Sequence, residues 1–364
     1  MGIKNFNNFI KDHFNFLNEK ITITQLKNLT IAIDLSIYMW RFTCKAMKDS
    51  TLNENGNINR AEVRSLTISY FLKFMYLMIK NNIKFIFVAD NIAPDEKNKT
   101  RVVRRENVSN NYIRIGKLQK SLLECSKISE RKKVINNIKK LYISIGPTEE
   151  DWKIVVNFLS NIGTSLIKLN DKVEAEYICS ELYRNRIVDA VVTDDSDVLL
   201  MKCDIIIKKI IFNKDLSYIV SITGISKPRL LRHLNLTSES LVDFGILCGL
   251  DFNTNIPNIG IVKAYSLICK YKSIDNIPLN EDIEVTNKFN NRKLKCRIKD
   301  ISMLNHHVIR KLFSKTIDNF NKSELLCKFK SNIYEYYKET FNCKIDRRIC
   351  DCIYSSTHNQ NNSL

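Results

Sequence analysis

An α/β fold built on a mainly parallel sheet is predicted by three features of this sequence. Apolar runs at 29–33, 83–89 and 187–192 read as short buried strands. Each ends in acid: Asp34, Asp90, and the Thr193-Asp194-Asp195-Ser196-Asp197 cluster. Helical patterns separate the runs, so right-handed crossovers would bring all three acidic ends to one edge of a parallel sheet.

Taken in order, Phe6, Phe9, Ile10 and Phe14 mark an amphipathic helix ahead of the first strand. Leu35 to Met47 should be a helix with Tyr38 and Trp40 near its start. A Gly/Asn loop at 53–59 precedes a long helix through Val63, Leu66, Phe71, Phe74 and Met78, which leads into the second strand. Pro94 suits the first turn of a further helix. From Lys97 to Lys140 there are 14 Lys/Arg against 3 Glu. Lys97 and Arg104, two turns apart, share a face there. Glu174 and Glu176 open an amphipathic helix that ends near Arg186. Because i and i+2 do not share a helix face, at least one of the two sits in the entering turn. Leu241–Leu250 and the run after Gly260 read as helix, tight turn, helix, with Asp251 at the turn. Residues after Asn280 look helical and basic, and 355–364 reads as a disordered polar tail.

Composition bounds the function. The formal net charge of +18 favours a polyanionic partner, most simply nucleic acid. Eleven Cys, an odd number without a Cys-x-x-Cys pair, fit buried free thiols in a reducing compartment. No apolar run suits a membrane span, and no secretory leader is expected. Acids crowded at a sheet edge repel one another unless cations neutralise them. Hard carboxylate oxygens favour Mg²⁺ or Mn²⁺ over zinc. Glu174 and Asp195 could instead cap helices while the other acids are solvated.

The ordered set Met-Gly-Ile, Ile-Asp34, Val-Ala-Asp90, Glu174-Ala-Glu176, Thr-Asp-Asp195-Ser-Asp197 and Leu-Cys-Gly-Leu-Asp251 before Ile-Pro-Asn-Ile-Gly260 resembles the flap endonuclease, or XPG-like, family of structure-specific 5′ nucleases. The divergent Asn-rich chain looks most like the family's poxvirus branch. The resemblance implies a PIN-like fold whose nuclease domain comprises residues 1–96 and 151–275. A basic helical arch at 97–150, a helix-hairpin-helix-type element and a helical basic region at 276–364 would complete it. It further implies metal-site carboxylates at Asp34, Asp90, Glu174, Glu176, Asp195, Asp197 and Asp251, holding two Mg²⁺, with Mn²⁺ as a possible substitute. Lys97 and Arg104 match the basic pair aimed at the scissile phosphate. Gly2, Trp40, Lys97, Arg101, Arg104, Arg105, Gly260 and Lys263 would contact DNA, with Trp40 stacking at the junction.

Seven ionised carboxylates with two divalent ions still leave about −3, so flanking cations are required to admit a phosphodiester. The implied partners are branched or flapped DNA and viral replication or recombination proteins in a cytoplasmic replication compartment. No sliding-clamp motif is evident. Asn91 and Asn258 stand where the family carries glycine. A PIN-like ribonuclease and a catalytically silent junction-binding protein remain the alternatives.

Overall fold

A computed structural model describes residues 2–14, 19–90, 98–168, 173–317, 325 and 327–361. The amphipathic pattern at the amino end forms α1 (Phe6–Phe14), followed by β1 (Glu19–Ile21) and a single turn, α2 (Ile23–Leu26). The first apolar run is β2 (Thr30–Asp34), which feeds α3 (Leu35–Asp49) and α4 (Arg60–Lys80) before β3 (Lys84–Val88). Two long helices, α5 (Asn98–Glu124) and α6 (Ile128–Ile145), carry the basic run, and α7 (Glu149–Asn161) leads to β4 (Leu166–Ile167). Then come α8 (Ala175–Arg184), β5 (Ala190–Val192), a 3-10 turn at Ser196–Leu200, and the paired strands β6 (Ile205–Phe212) and β7 (Ile219–Ser226). The helices α9 (Lys227–Leu234), α10 (Ser238–Cys248) and α11 (Ile261–Tyr271) precede a hairpin, β8 (Asp282–Thr286) and β9 (Lys293–Arg297). The helices α12 (His306–Ser314), α13 (Ile333–Phe341) and α14 (Arg347–Asn361) follow it.

Seven strands form one sheet in the order β1-β7-β6-β5-β2-β3-β4. Neighbours from β6 through β4 run parallel, while β7 pairs antiparallel with β6 and with β1. The sheet is buried on both faces, as parallel sheets must be. Successive residues therefore enter different cores. Ile31, Ile33, Phe85 and Phe87 pack with α3, α4, α7 and the carboxyl-terminal helices. Ala32, Ile86, Val88 and Val191 pack with α1, α8, α10 and α11. From β2 the chain moves one way to β3 and β4, then returns to lay β5 on the other side of β2. Where an open α/β sheet reverses direction in this way, a crevice opens at the carboxyl ends of the strands.

Three expectations need correction. Residues 276–364 are not all helical, because Ile283 and Val285 alternate inward with exposed neighbours and β8 pairs with β9; the shortness of the strands hides this period-two pattern. The polar tail is helical as far as Asn361, since α14 is anchored through buried Cys350 and Ile353. The turn after α10 is a twelve-residue connection, 249–260, rather than a tight one. Asparagine side chains scaffold it: Asn253 Nδ2 donates to the Ile246 carbonyl at 2.9 Å, and Asn255 Nδ2 to that of Cys248 at 2.6 Å. Among the described residues no helix is long and apolar enough to cross a membrane.

Candidate active site at the acidic sheet edge

Asp34 is the last residue of β2 and the N-cap of α3, where its Oδ1 accepts from the Ser36 amide at 2.8 Å. A carboxylate in this position offsets the positive end of the helix. Asp90 lies two residues beyond β3 and accepts at Oδ1 from the Ala175 amide, in the first turn of α8, at 2.8 Å. The Ser36 hydroxyl donates to the other Asp90 oxygen, tying two strand ends together. Glu174 is the N-cap residue of α8, with extended backbone, and Glu176 lies in the first helical turn. The i,i+2 argument is therefore met by placing Glu174 outside the helix proper. Asp195 caps the turn Ser196–Leu200 by accepting from the Asp197 amide at 3.1 Å. Thr193 completes the join, donating to Asp34 Oδ2 at 3.3 Å and accepting from the Asp195 amide at 3.2 Å.

The electrostatics show which acids crowd together. Burial pushes the Asp34 carboxyl up from 3.8 to about 8, and the charges of Asp90 and Asp195 add to the shift. Glu176 is raised well above the usual carboxylate range, first by burial and then by Asp34, Asp90, Asp195 and Glu174. Four separate segments thus bring five carboxylates within mutual repulsion. Asp197, 3% exposed, lies close enough to Lys208 to affect its titration, as do Asp195 and Asp194. Asp251 follows α10 and pairs with Arg104 of α5 at 3.0 Å.

Among the expected DNA contacts, Trp40 is 46% exposed on α3, and its ring lies over Gly146 at the end of α6. A β-carbon on Gly146 would come within 2.1 Å of that ring. Arg101, Arg104 and Arg105 fall on the first turns of α5, with Arg104 and Arg105 exposed. Gly260 opens α11 with extended backbone and open space around it, and Lys263 lies in the same first turn. Asn258 takes φ +64, so it adopts the left-handed conformation a glycine would supply. Lys97, Asn91 and Pro94 lie outside the described residues.

Gly2 is packed against the acidic loop. Its φ is +86, and a β-carbon there would fall 2.2 Å from Asp195 Oδ1 and 2.3 Å from Ser196 Oγ. The neighbouring Ile3 amide donates to Ser196 Oγ at 2.8 Å. Gly2→Ala should therefore strain the backbone and push Asp195 aside, costing about 1–3 kcal/mol of stability. Urea unfolding checks the cost, and unchanged stability would show that the loop yields freely.

Three residues around the acids were not foreseen: Ser36, Arg41 and Lys208. Arg41 pairs with the Asp194 carboxylate, and buried Lys208 donates from Nζ to the Asp194 carbonyl at 2.6 Å. Burial pulls the Lys208 ammonium below its ordinary value, against the opposing pull of Asp195, Asp194 and Asp197. The one sequence signal was a Lys-Lys pair inside an apolar strand.

A mostly parallel sheet with acids gathered at its carboxyl edge, beneath a long helical pair, defines the class of PIN-like 5′ nucleases. Residues 1–111 match the XPG N-terminal domain and residues 170–251 the XPG I-region. The probable RAD2-like endonuclease 369L of Invertebrate iridescent virus 6 is 30% identical over 95% of this chain and 90% of its own length. The chain belongs to the XPG/RAD2 family of structure-specific nucleases. Flap endonuclease-1 from Methanococcus jannaschii superimposes with a TM-score of 0.60 at 19% identity, over 99% of this chain and 100% of that one. The Holliday junction-resolving enzyme GEN1, in complex with product DNA, Mg²⁺ and Mn²⁺ ions, does so with a TM-score of 0.54 at 15% identity, over 94% of this chain and 73% of that one. At these identities the two likenesses are of fold.

Proposed function

We propose that this protein is a metal-dependent nuclease that hydrolyses DNA phosphodiesters at single-strand/double-strand junctions. The observation that carries the reading is the crowding of Asp34, Asp90, Glu174, Glu176 and Asp195 in a buried cluster, where burial first and mutual repulsion second raise Asp34 and Glu176. An all-oxygen donor set under that repulsion suits a hard divalent cation, Mg²⁺ or Mn²⁺, and Asp197 and Asp251 complete the proposed set. When bound, such ions would activate a water and stabilise the leaving oxygen of an in-line displacement.

The protein's own groups would do the rest. Arg104 already reaches Asp251, so its guanidinium is available to a phosphate at the acidic edge and to the charge that develops there. Lys97 is assigned the same role from the sequence. Trp40 has Gly146 under its ring and enough exposed surface to receive a terminal base. Gly260 and Lys263 would bind duplex phosphate at the start of α11, with no side chain of residue 260 in the way. Arg101 and Arg105 would attract the strand beneath the arch, and Gly2 would support the acidic loop as well as approach DNA. The iridoviral relative supports a role in viral genome processing, replication and recombination repair in a cytoplasmic compartment.

The test is cleavage of an end-labelled 5′-flap DNA with Mg²⁺ and with EDTA, beside a flap of RNA. Cutting of the DNA flap near its junction, in Mg²⁺ alone, is expected. Tight binding without cutting would favour a junction-binding protein, and preference for the RNA flap a ribonuclease.

A further inference from the structure

Strand β6 carries two adjacent lysines, Lys208 and Lys209, and a regular strand would give them opposite faces by simple alternation. The pairing of β6 with β7 shifts register between Ile207 and Lys209. Such a bulge adds one unpaired residue and re-aims its side chain, and bulges of this kind recur beside functional sites. Here Lys208 turns inward, 5% exposed, while Lys209 stays exposed. Its ammonium ends on the Asp194 carbonyl, 2.6 Å away. The Asp194 carboxylate is held from the solvent side by Arg41 of α3. One residue is thus gripped at its main chain from within the sheet and at its side chain from the neighbouring helix.

Asp194 connects Thr193 to Asp195. Thr193 reaches Asp34, and Asp195 fixes the amide of Asp197. Rotating the Asp194 peptide would carry both proposed ligands, Asp195 and Asp197, with it. We infer that Lys208 and Arg41 are positioning residues that clamp Asp194 and so hold the Thr193–Asp197 turn in the geometry needed for cleavage. This rests on the nuclease reading above. It separates Asp194 from the metal ligands, since its carboxylate is committed to Arg41.

The experiment compares Arg41→Gln, Asp194→Ala, the double variant and Lys208→Met in two assays: steady-state cleavage of 5′-flap DNA in saturating Mn²⁺, and binding of Mn²⁺ to the DNA-free protein, read from the electron paramagnetic resonance of the unbound ion. Arg41→Gln and Asp194→Ala should each lower kcat by about tenfold with KM within about twofold, because ligand geometry acts after substrate is bound. The double variant should be no worse than either single one, since both remove the same contact. Lys208→Met should lower kcat by about 100-fold and weaken Mn²⁺ binding several-fold.

Loss of KM rather than kcat in Arg41→Gln would overturn the clamp, making Arg41 a DNA contact. Multiplying losses in the double variant would also overturn it. So would tighter Mn²⁺ binding by Lys208→Met, because removal of a counter-charge alone predicts tightening. If Lys208→Met fails to fold, the two exposed-side variants decide the matter. A wild-type protein that neither cleaves nor binds Mn²⁺ would reject the nuclease reading itself; failure of the clamp alone leaves wild-type cleavage and Mn²⁺ binding intact.

Discussion

Asp195→Asn should reduce Mg²⁺-dependent 5′-flap cleavage by roughly 10³-fold or more while leaving flap binding near the wild-type value. The substitution is chosen for what it keeps. Asn has the same shape and an oxygen that can still accept from the Asp197 amide, so the cap at Ser196–Leu200 survives. What is lost is one negative charge among acids that repel. In EDTA the variant should therefore melt at a higher temperature than wild type, because Asp195 contributes to the raised titration of both Asp34 and Glu176. Few disruptive mutations at a buried site stabilise the protein they inactivate. Thermal melts with a flap-binding titration would check both halves. A variant that loses stability along with cleavage would show that the Asp195 charge is stabilising rather than repelled, and the carboxylate cluster would need another explanation.

The second large effect concerns pH. A folded-state carboxyl raised from 3.8 to about 8, as at Asp34, binds its proton more tightly when folded than when unfolded. Between those two values the folded state holds more protons, so stability falls as pH rises and levels off above the folded value. Glu176 is raised in the same sense and steepens the fall. The metal-free protein should lose several degrees of melting temperature between pH 6 and pH 8, a range where ordinary surface carboxylates are already ionised and contribute little slope. Mg²⁺ should reverse the trend, with a larger stabilisation at pH 8 than at pH 6, since ion and proton compete for the same oxygens. Calorimetric titration with Mg²⁺ in two buffers of different ionisation enthalpy should detect released protons at pH 7. A melting temperature flat in EDTA from pH 6 to pH 8 would mean that the acids are hydrated and apart.

Much of this was legible in the residues because the relevant signals are local. Strands β2, β3 and β5 are short apolar runs that end in acid, and helices between them force the parallel arrangement that collects Asp34, Asp90 and Asp195 at one edge. The i,i+2 spacing alone required one of Glu174 and Glu176 to lie in the entering turn, and the structure puts Glu174 there. What stayed hidden depends on a neighbour far along the chain. No sequence rule says which of Lys208 and Lys209 turns inward; Lys208 does, at a point where the register against β7 shifts. Arg41 reads as one more helix-surface cation until Asp194, 153 residues away, is seen opposite. Asp251 was expected at the acidic edge, but its contact with Arg104 depends on how α5 leans over the core. The β8–β9 hairpin was obscured by its own composition, since only two apolar residues per strand stand between charged and polar ones: Asp282, Glu284 and Thr286 face outward on β8, and Lys293, Lys295 and Arg297 on β9.

The left-handed turns are filled by asparagine more often than by glycine. Among the described residues, nine of the twelve non-glycine positions with positive φ are asparagine, while the whole sequence holds only nine glycines. Asparagine is the side chain that visits this conformation most readily, so it can replace glycine at a turn for a small penalty. Its codons are rich in A and its counterparts for glycine are rich in G, so pressure toward A and T would drive that exchange wherever the backbone allowed it. At each of the five described glycines with positive φ an added β-carbon would also come within 3.0 Å of another atom, Gly2 beside Asp195 among them. At positive φ, asparagine fills most of the described non-glycine turns, while glycine stands where a single extra carbon would collide with the acidic edge or the core.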